Sequence, residues 1–92
     1  MKPSQTASFE TQLLVELVAK IKNVNTIVGL EVGEIDLKCP CGALILPPTP
    51  VISKLKDRQR GLLKSRIKRH LGTDHRMSEA TIRVVLNEAF AK

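Results

Sequence analysis

Aromatic side chains are almost missing from this sequence, which has no Trp, no Tyr and only Phe9 and Phe90. Aliphatic residues must therefore fill any interior, without the large rings that bury the most area per residue. Long apolar runs are missing as well. No stretch approaches the roughly 18–20 residues needed to cross a bilayer, and Met1 to Ser8 lacks the apolar block of a secretory signal. Glycine is scattered over Gly29, Gly33, Gly42, Gly61 and Gly72, so no Gly-rich phosphate loop is formed. These absences predict a cytoplasmic protein, or a nuclear one in a eukaryotic host, with neither a membrane nor a small-molecule substrate as partner. In that reducing setting two cysteines read as metal ligands rather than a disulfide.

What is present is unevenly distributed charge. The 92 residues hold 15 Lys and Arg against 9 Asp and Glu, a net charge of +6. The excess lies between Val51 and Arg76, where Lys54, Lys56, Arg58, Arg60, Lys64, Arg66, Lys68, Arg69 and Arg76 face only Asp57 and Asp74. A localised basic surface raises the local concentration of anions and favours nucleic acid as partner.

Hydrophobic period divides the chain into elements. Residues 1–7 read as a flexible N-terminus, followed by a single zinc-binding domain over 8–92. Ser8 is suited to cap a helix whose inward residues are Phe9, Leu13, Leu14, Leu17, Val18 and Ile21. From Val24 the period changes to two, through Thr26, Val28, Leu30 and Val32, and again through Ile35, Leu37 and Cys39. With Ala43 to Leu46 this predicts a small antiparallel sheet whose last turn carries Cys39 and Cys41. Pro47-Pro48-Thr49-Pro50 reads as a stiff connector. Thr49 and Pro50 then match the N-cap and first position of a long basic helix. Ile52, Leu55, Gln59, Leu62, Leu63, Ile67 and Leu71 share its inner face with His70, and Gly72 ends it. Ser78 caps a final helix with Ile82, Val85, Leu86, Ala89 and Phe90 inward. The expected fold class is α+β: N-terminal helix, small antiparallel β-sheet, long basic helix and C-terminal helix, stapled by zinc.

Chemistry concentrates in Cys39-x-Cys41 and His70-x4-His75, which use every Cys and His of the chain. Zinc takes four thiolate or imidazole ligands in a tetrahedron. A turn offers both sulfurs from one side, and a helix end offers two nitrogens. This ligand order resembles the C2H2 zinc finger, and Lys38-Cys39-Pro40-Cys41-Gly42 resembles a zinc-ribbon knuckle, including those of small phage zinc proteins that regulate translation. The cysteine pair is one residue shorter than the usual C-x2-C, and the Cys41–His70 stretch is about twice that of ordinary fingers. The resemblance implies one structural Zn2+ per chain on Cys39, Cys41, His70 and His75. Four protein ligands leave no position for water, so the zinc is expected to be structural and the protein not an enzyme.

The expected function is DNA or structured-RNA binding by a small regulator of phage, viral or plasmid type. Phosphates would meet Lys54, Arg58, Arg60, Lys64, Arg66, Lys68, Arg69 and Arg76, with Arg58, Arg66 and Arg69 foremost for bidentate contacts. Scarce aromatics tilt the choice toward duplex or structured nucleic acid. Met77 to Asn87 also resembles the recognition helix of lactose-repressor-type helix-turn-helix proteins, which implies that Ser78, Thr81 and Arg83 face DNA. The competing expectation is an adaptor that docks on an acidic protein partner such as a polymerase or another regulator.

Overall fold

The computed structural model describes residues 3–91, with side chains from Gln12 onward. Helix α1 spans Pro3–Leu30, strand β1 Glu34–Lys38 and strand β2 Leu44–Pro50. A single 3-10 turn, Ser53–Leu55, leads into α2, Lys56–Thr73, and α3 spans Glu79–Ala89. Two antiparallel strands and three helices make an α+β fold, as the hydrophobic pattern predicts.

The first helix is the main correction. It starts at Pro3 and runs through both the expected cap at Ser8 and the segment from Val24 to Leu30 that reads as a strand. Side chains before Gln12, Ser8 and Phe9 among them, lie outside the described residues, as do Met1 and Lys2. Val24 and Val28 fit a two-residue period, yet they also continue the helical spacing of Leu13, Leu17 and Ile21. All five are buried. No glycine interrupts before Gly29, so helix propagation wins, since each added residue gains a backbone hydrogen bond. Thr26 adapts by donating its hydroxyl to Lys22 O at 2.8 Å. The helix ends where Glu31 turns left-handed, φ 61°, and its N–H bonds Val28 O. A non-glycine there costs about 1 kcal/mol. Contacts made by the Glu31 carboxylate offset this: Ser53 Oγ donates to it at 2.7 Å and Lys56 stands 3.4 Å away.

β1 pairs with β2 in the register Glu34 with Pro50, Ile35 with Thr49, Leu37 with Leu46 and Lys38 with Leu44, irregular on both sides of Leu37. The expected connector Pro47 to Pro50 is extended, but it forms the second half of β2 rather than a link. In a two-stranded sheet every strand is an edge, so proline's missing donor is tolerated. Pro50 therefore does not open a helix, and the Thr49 hydroxyl donates to Pro47 O instead of capping one. Gln59 reaches back to fix the junction, accepting from Ile52 N at 3.1 Å and donating to Pro50 O at 2.9 Å. Because α2 starts only at Lys56, Ile52 and Leu55 precede it and stay exposed. Leu62 is exposed too, turned toward the β2 side of the helix.

Leu63, Ile67 and Leu71 form the buried stripe of α2 against Leu17, Ile21 and Val28 of α1, Ile35 and Leu37 of β1, and Ile82 and Val85 of α3. Gly72 does not end α2. It keeps helical backbone, and a Cβ there would meet Ile82 of α3 at 3.6 Å, an ordinary van der Waals contact. The chain leaves the helix after Thr73, with Asp74 N bonded to His70 O and Met77 N to Leu71 O. Ser78 caps α3 as expected, accepting from Thr81 N at 3.2 Å.

Candidate metal centre and basic surface

The sequence between β1 and β2 makes a tight knuckle. Cys39 N donates to Ala43 O and Gly42 N to Cys39 O, both at 2.8 Å, while Gly42 takes φ 101°, a conformation L side chains rarely adopt. This fold-back places two sulfurs on one side of the turn. Opposite them, the last turn of α2 presents His70, and the loop beyond presents His75.

The four expected ligands meet. Their donor atoms all lie within 4.8 Å of one another. Cys41 Sγ is 3.5 Å from His70 Nε2, Cys39 Sγ is 3.7 Å from His75 Nε2, and the two Nε2 atoms are 3.1 Å apart. Around a tetrahedral ion with bonds of about 2.0–2.3 Å, neighbouring donors stand about 3.3–3.8 Å apart. The geometry therefore fits a metal ion held by Cys2His2. Cys39 is 1% exposed and His70 8%, whereas Cys41 is exposed, so the core closes one side of the cluster and solvent reaches the other.

Two neighbours that ligand spacing does not reveal complete the cluster. Asp74 Oδ2 lies 2.7 Å from His70 Nδ1. With the ring proton donated to that carboxylate, Nε2 keeps its lone pair toward the cluster, the arrangement by which carboxylates orient metal-binding histidines. The signal in the sequence is the four-residue helical step from His70 to Asp74. Lys20 of α1 donates to Lys38 O at 3.4 Å beside the knuckle. Burial pushes the Cys39 thiol above its ordinary range, partly opposed by the hydrogen bond from the Cys41 backbone and by the charge of Lys20. A bound cation would reverse the balance, since a coordinating thiol is deprotonated.

The basic residues do not share one setting. Arg60 is committed to the fold: its Nε donates to Asn25 Oδ1 at 2.7 Å, it pairs with Asp57 at 3.8 Å, and its guanidinium lies against Gly29. Lys64 and Lys68 border α3, with Lys68 4.0 Å from Glu79. Arg66 and Arg69 border β2, where Arg66 donates to Ile45 O at 3.4 Å. Lys54, Arg58, Arg69 and Arg76 are exposed and have no acidic partner within 4 Å among the described residues. Arg76 holds a left-handed backbone, φ 52°, one residue past His75. On α3, the Ser78 and Thr81 hydroxyls are used on each other and on the cap, 2.9 Å apart, while Arg83 is exposed.

No described helix is long and apolar enough to cross a membrane. No family model, no curated protein and no solved structure matches this chain.

Proposed function

We propose that this chain is a small zinc-stabilised protein that binds DNA or structured RNA through the exposed cations of α2, and that it acts as a regulator of phage, viral or plasmid type in the cytoplasm or nucleus. One zinc per chain would sit among Cys39, Cys41, His70 and His75. Mixed thiolate and imidazole donors gathered within 4.8 Å of one another favour zinc over the harder, oxygen-seeking cations. When bound, it supplies a cross-link between the knuckle and the end of α2, and no reaction.

The observation that carries the reading is the position of α2. Its inner stripe and its metal-binding end are fixed, while Arg58 and Arg69 stand exposed without an acidic partner among the described residues. A rigid helix with unspent cations suits phosphates, which fix register without reading sequence. The test is a titration of zinc-loaded protein with duplex and hairpin oligonucleotides across salt concentrations. Log affinity should fall linearly with log salt, with a slope near −0.9 per phosphate neutralised. Salt-independent binding, or none at low salt, would sink the reading.

A second reading has its own support. Exposed Leu44 and Leu62 line a recess between β2 and α2, beside Arg66 and Arg69. Apolar anchors ringed by arginines suit an acidic protein partner. In that case Leu62→Ala would abolish binding to the partner and leave nucleic-acid affinity untouched.

A further inference from the structure

The cations of α2 do not all serve one flat surface. Lys64 and Lys68 stand on one wall of a cleft of about 330 Å³, and Arg83 of α3 stands on the other. Ile82 and Leu86 make an apolar floor, closed at one end by the Phe90 ring, and Asn87 brings an amide to the rim. The ammonium of Lys64 lies 5.0 Å from the centroid of Phe90. That face of the ring is therefore turned into the cleft and covered by an exposed, flexible side chain. Glu79 is the single acid among the lining residues, so three cations outweigh it.

We propose that the cleft between α2 and α3 receives one unpaired nucleotide of a bound nucleic acid, with the base stacked on Phe90 and the flanking phosphates on Lys64, Lys68 and Arg83. The inference rests on the nucleic-acid reading above and narrows it. A track for phosphates alone needs no apolar floor, and an apolar ligand needs no three cations. A nucleotide has both characters in adjacent groups. Its π-face matches the open face of Phe90, and stacking of this kind accepts any base. The base displaces the Lys64 ammonium from the ring, and the four-carbon stem lets that charge swing toward the phosphate. The Asn87 amide, donor and acceptor together, reaches a base edge where a hydroxyl would offer less. The volume lies at the small end of ligand pockets, which suits one nucleotide rather than a run of stacked bases.

The experiment uses the zinc-loaded full chain and two hairpins of equal stem length. One is fully paired, and the other carries a single extruded 2-aminopurine. Anisotropy reads affinity, and 2-aminopurine emission reads stacking. The bulged hairpin should bind about fivefold or more tightly than the paired one, the low end of a base–aromatic stack, and its emission should drop on binding. Phe90→Leu, which keeps an apolar side chain in the core, should erase the preference and the emission change while leaving affinity for the paired hairpin in place. Asn87→Ala, on the exposed rim, should weaken the preference without disturbing the fold. Equal affinity for both hairpins with unchanged emission overturns the cleft assignment while the nucleic-acid reading stands. Failure to bind either hairpin at low salt overturns that reading, and the cleft assignment with it.

Discussion

The two ends of α2 are tied down by different physics. At the C-terminal end, four donor atoms within 4.8 Å and the buried side chains of Cys39, His70 and Leu71 make one cluster. At the N-terminal end the ties are separate polar contacts: Ser53 and Lys56 with Glu31 and Gln59 with the backbone at Ile52 and Pro50, all at the surface, and the half-buried bond of Arg60 with Asn25. A metal cluster is nearly all-or-none, because losing one ligand weakens the hold on all the others. Separate surface contacts are lost one at a time, and each contributes little. One end of the helix should therefore respond to metal, and the other to pH and single substitutions.

The largest break should come from Cys39→Ser. It removes a buried ligand and should abolish stoichiometric metal, seen as one zinc missing from the native mass. Thermal unfolding should fall by more than about 12 °C, from a loss of about 3 kcal/mol or more. Chelation of the wild-type protein should reproduce that shift. An unshifted melting temperature in both cases would dissolve the distinction between the two ends.

Asp74→Ala should act on the same end but more gently. The cluster keeps its four ligands and loses the carboxylate that orients His70, so metal affinity should weaken by about tenfold to a hundredfold in competition with a chromophoric chelator. At saturating zinc the fold should be unchanged. Asp74→Asn, which still accepts a hydrogen bond, should fall between the two.

At the other end, Arg60→Ala removes the bond to Asn25 and should cost about 1 kcal/mol in urea unfolding. The cost should be the same with and without metal. A cost that changes with zinc would show that the two ends of α2 communicate.

The smallest effect concerns Glu31. Its hydrogen bond from Ser53, and then the charge of Lys56, hold its carboxyl below the ordinary value of 4.5. The anion is thus favoured in the folded chain. Its contribution is complete above the unfolded-state value and is lost as pH falls through the lower folded-state one. Between neutral pH and the acid range the wild type should lose slightly more thermal stability than Glu31→Gln, at metal concentrations that hold the site saturated.

Much of this architecture is legible in the sequence where one rule acts alone. The Ser78 cap, the alternation of Ile35 and Leu37, and the inward position of His70 each follow from a single spacing. Errors arise where two rules fit the same residues. Val24 and Val28 satisfy both a strand period and a helix period, and only packing against α2 and the sheet decides between them. Pro50 after Thr49 matches a helix start and equally an edge strand, and the partner strand β1 decides. Gly72 matches a helix stop, yet α2 runs through it to Thr73. Asp74 was hidden for a different reason. A carboxylate that orients a ligand carries no spacing rule of its own until the histidine beside it is placed.

The prolines of β2 have a consequence for the protein's behaviour in a crowded solution. Successive residues of a strand point their amides to opposite sides, so Pro47 and Pro48 together remove a donor from the side of β2 that faces away from β1. A third strand arriving there, from a neighbouring chain, would find a gap in the ladder it must copy. Short hairpins with open edges are the usual seeds of fibrous aggregation. Here the proline-rich half of the hairpin resists that growth, leaving the knuckle open to solvent without making the sheet beneath it adhesive.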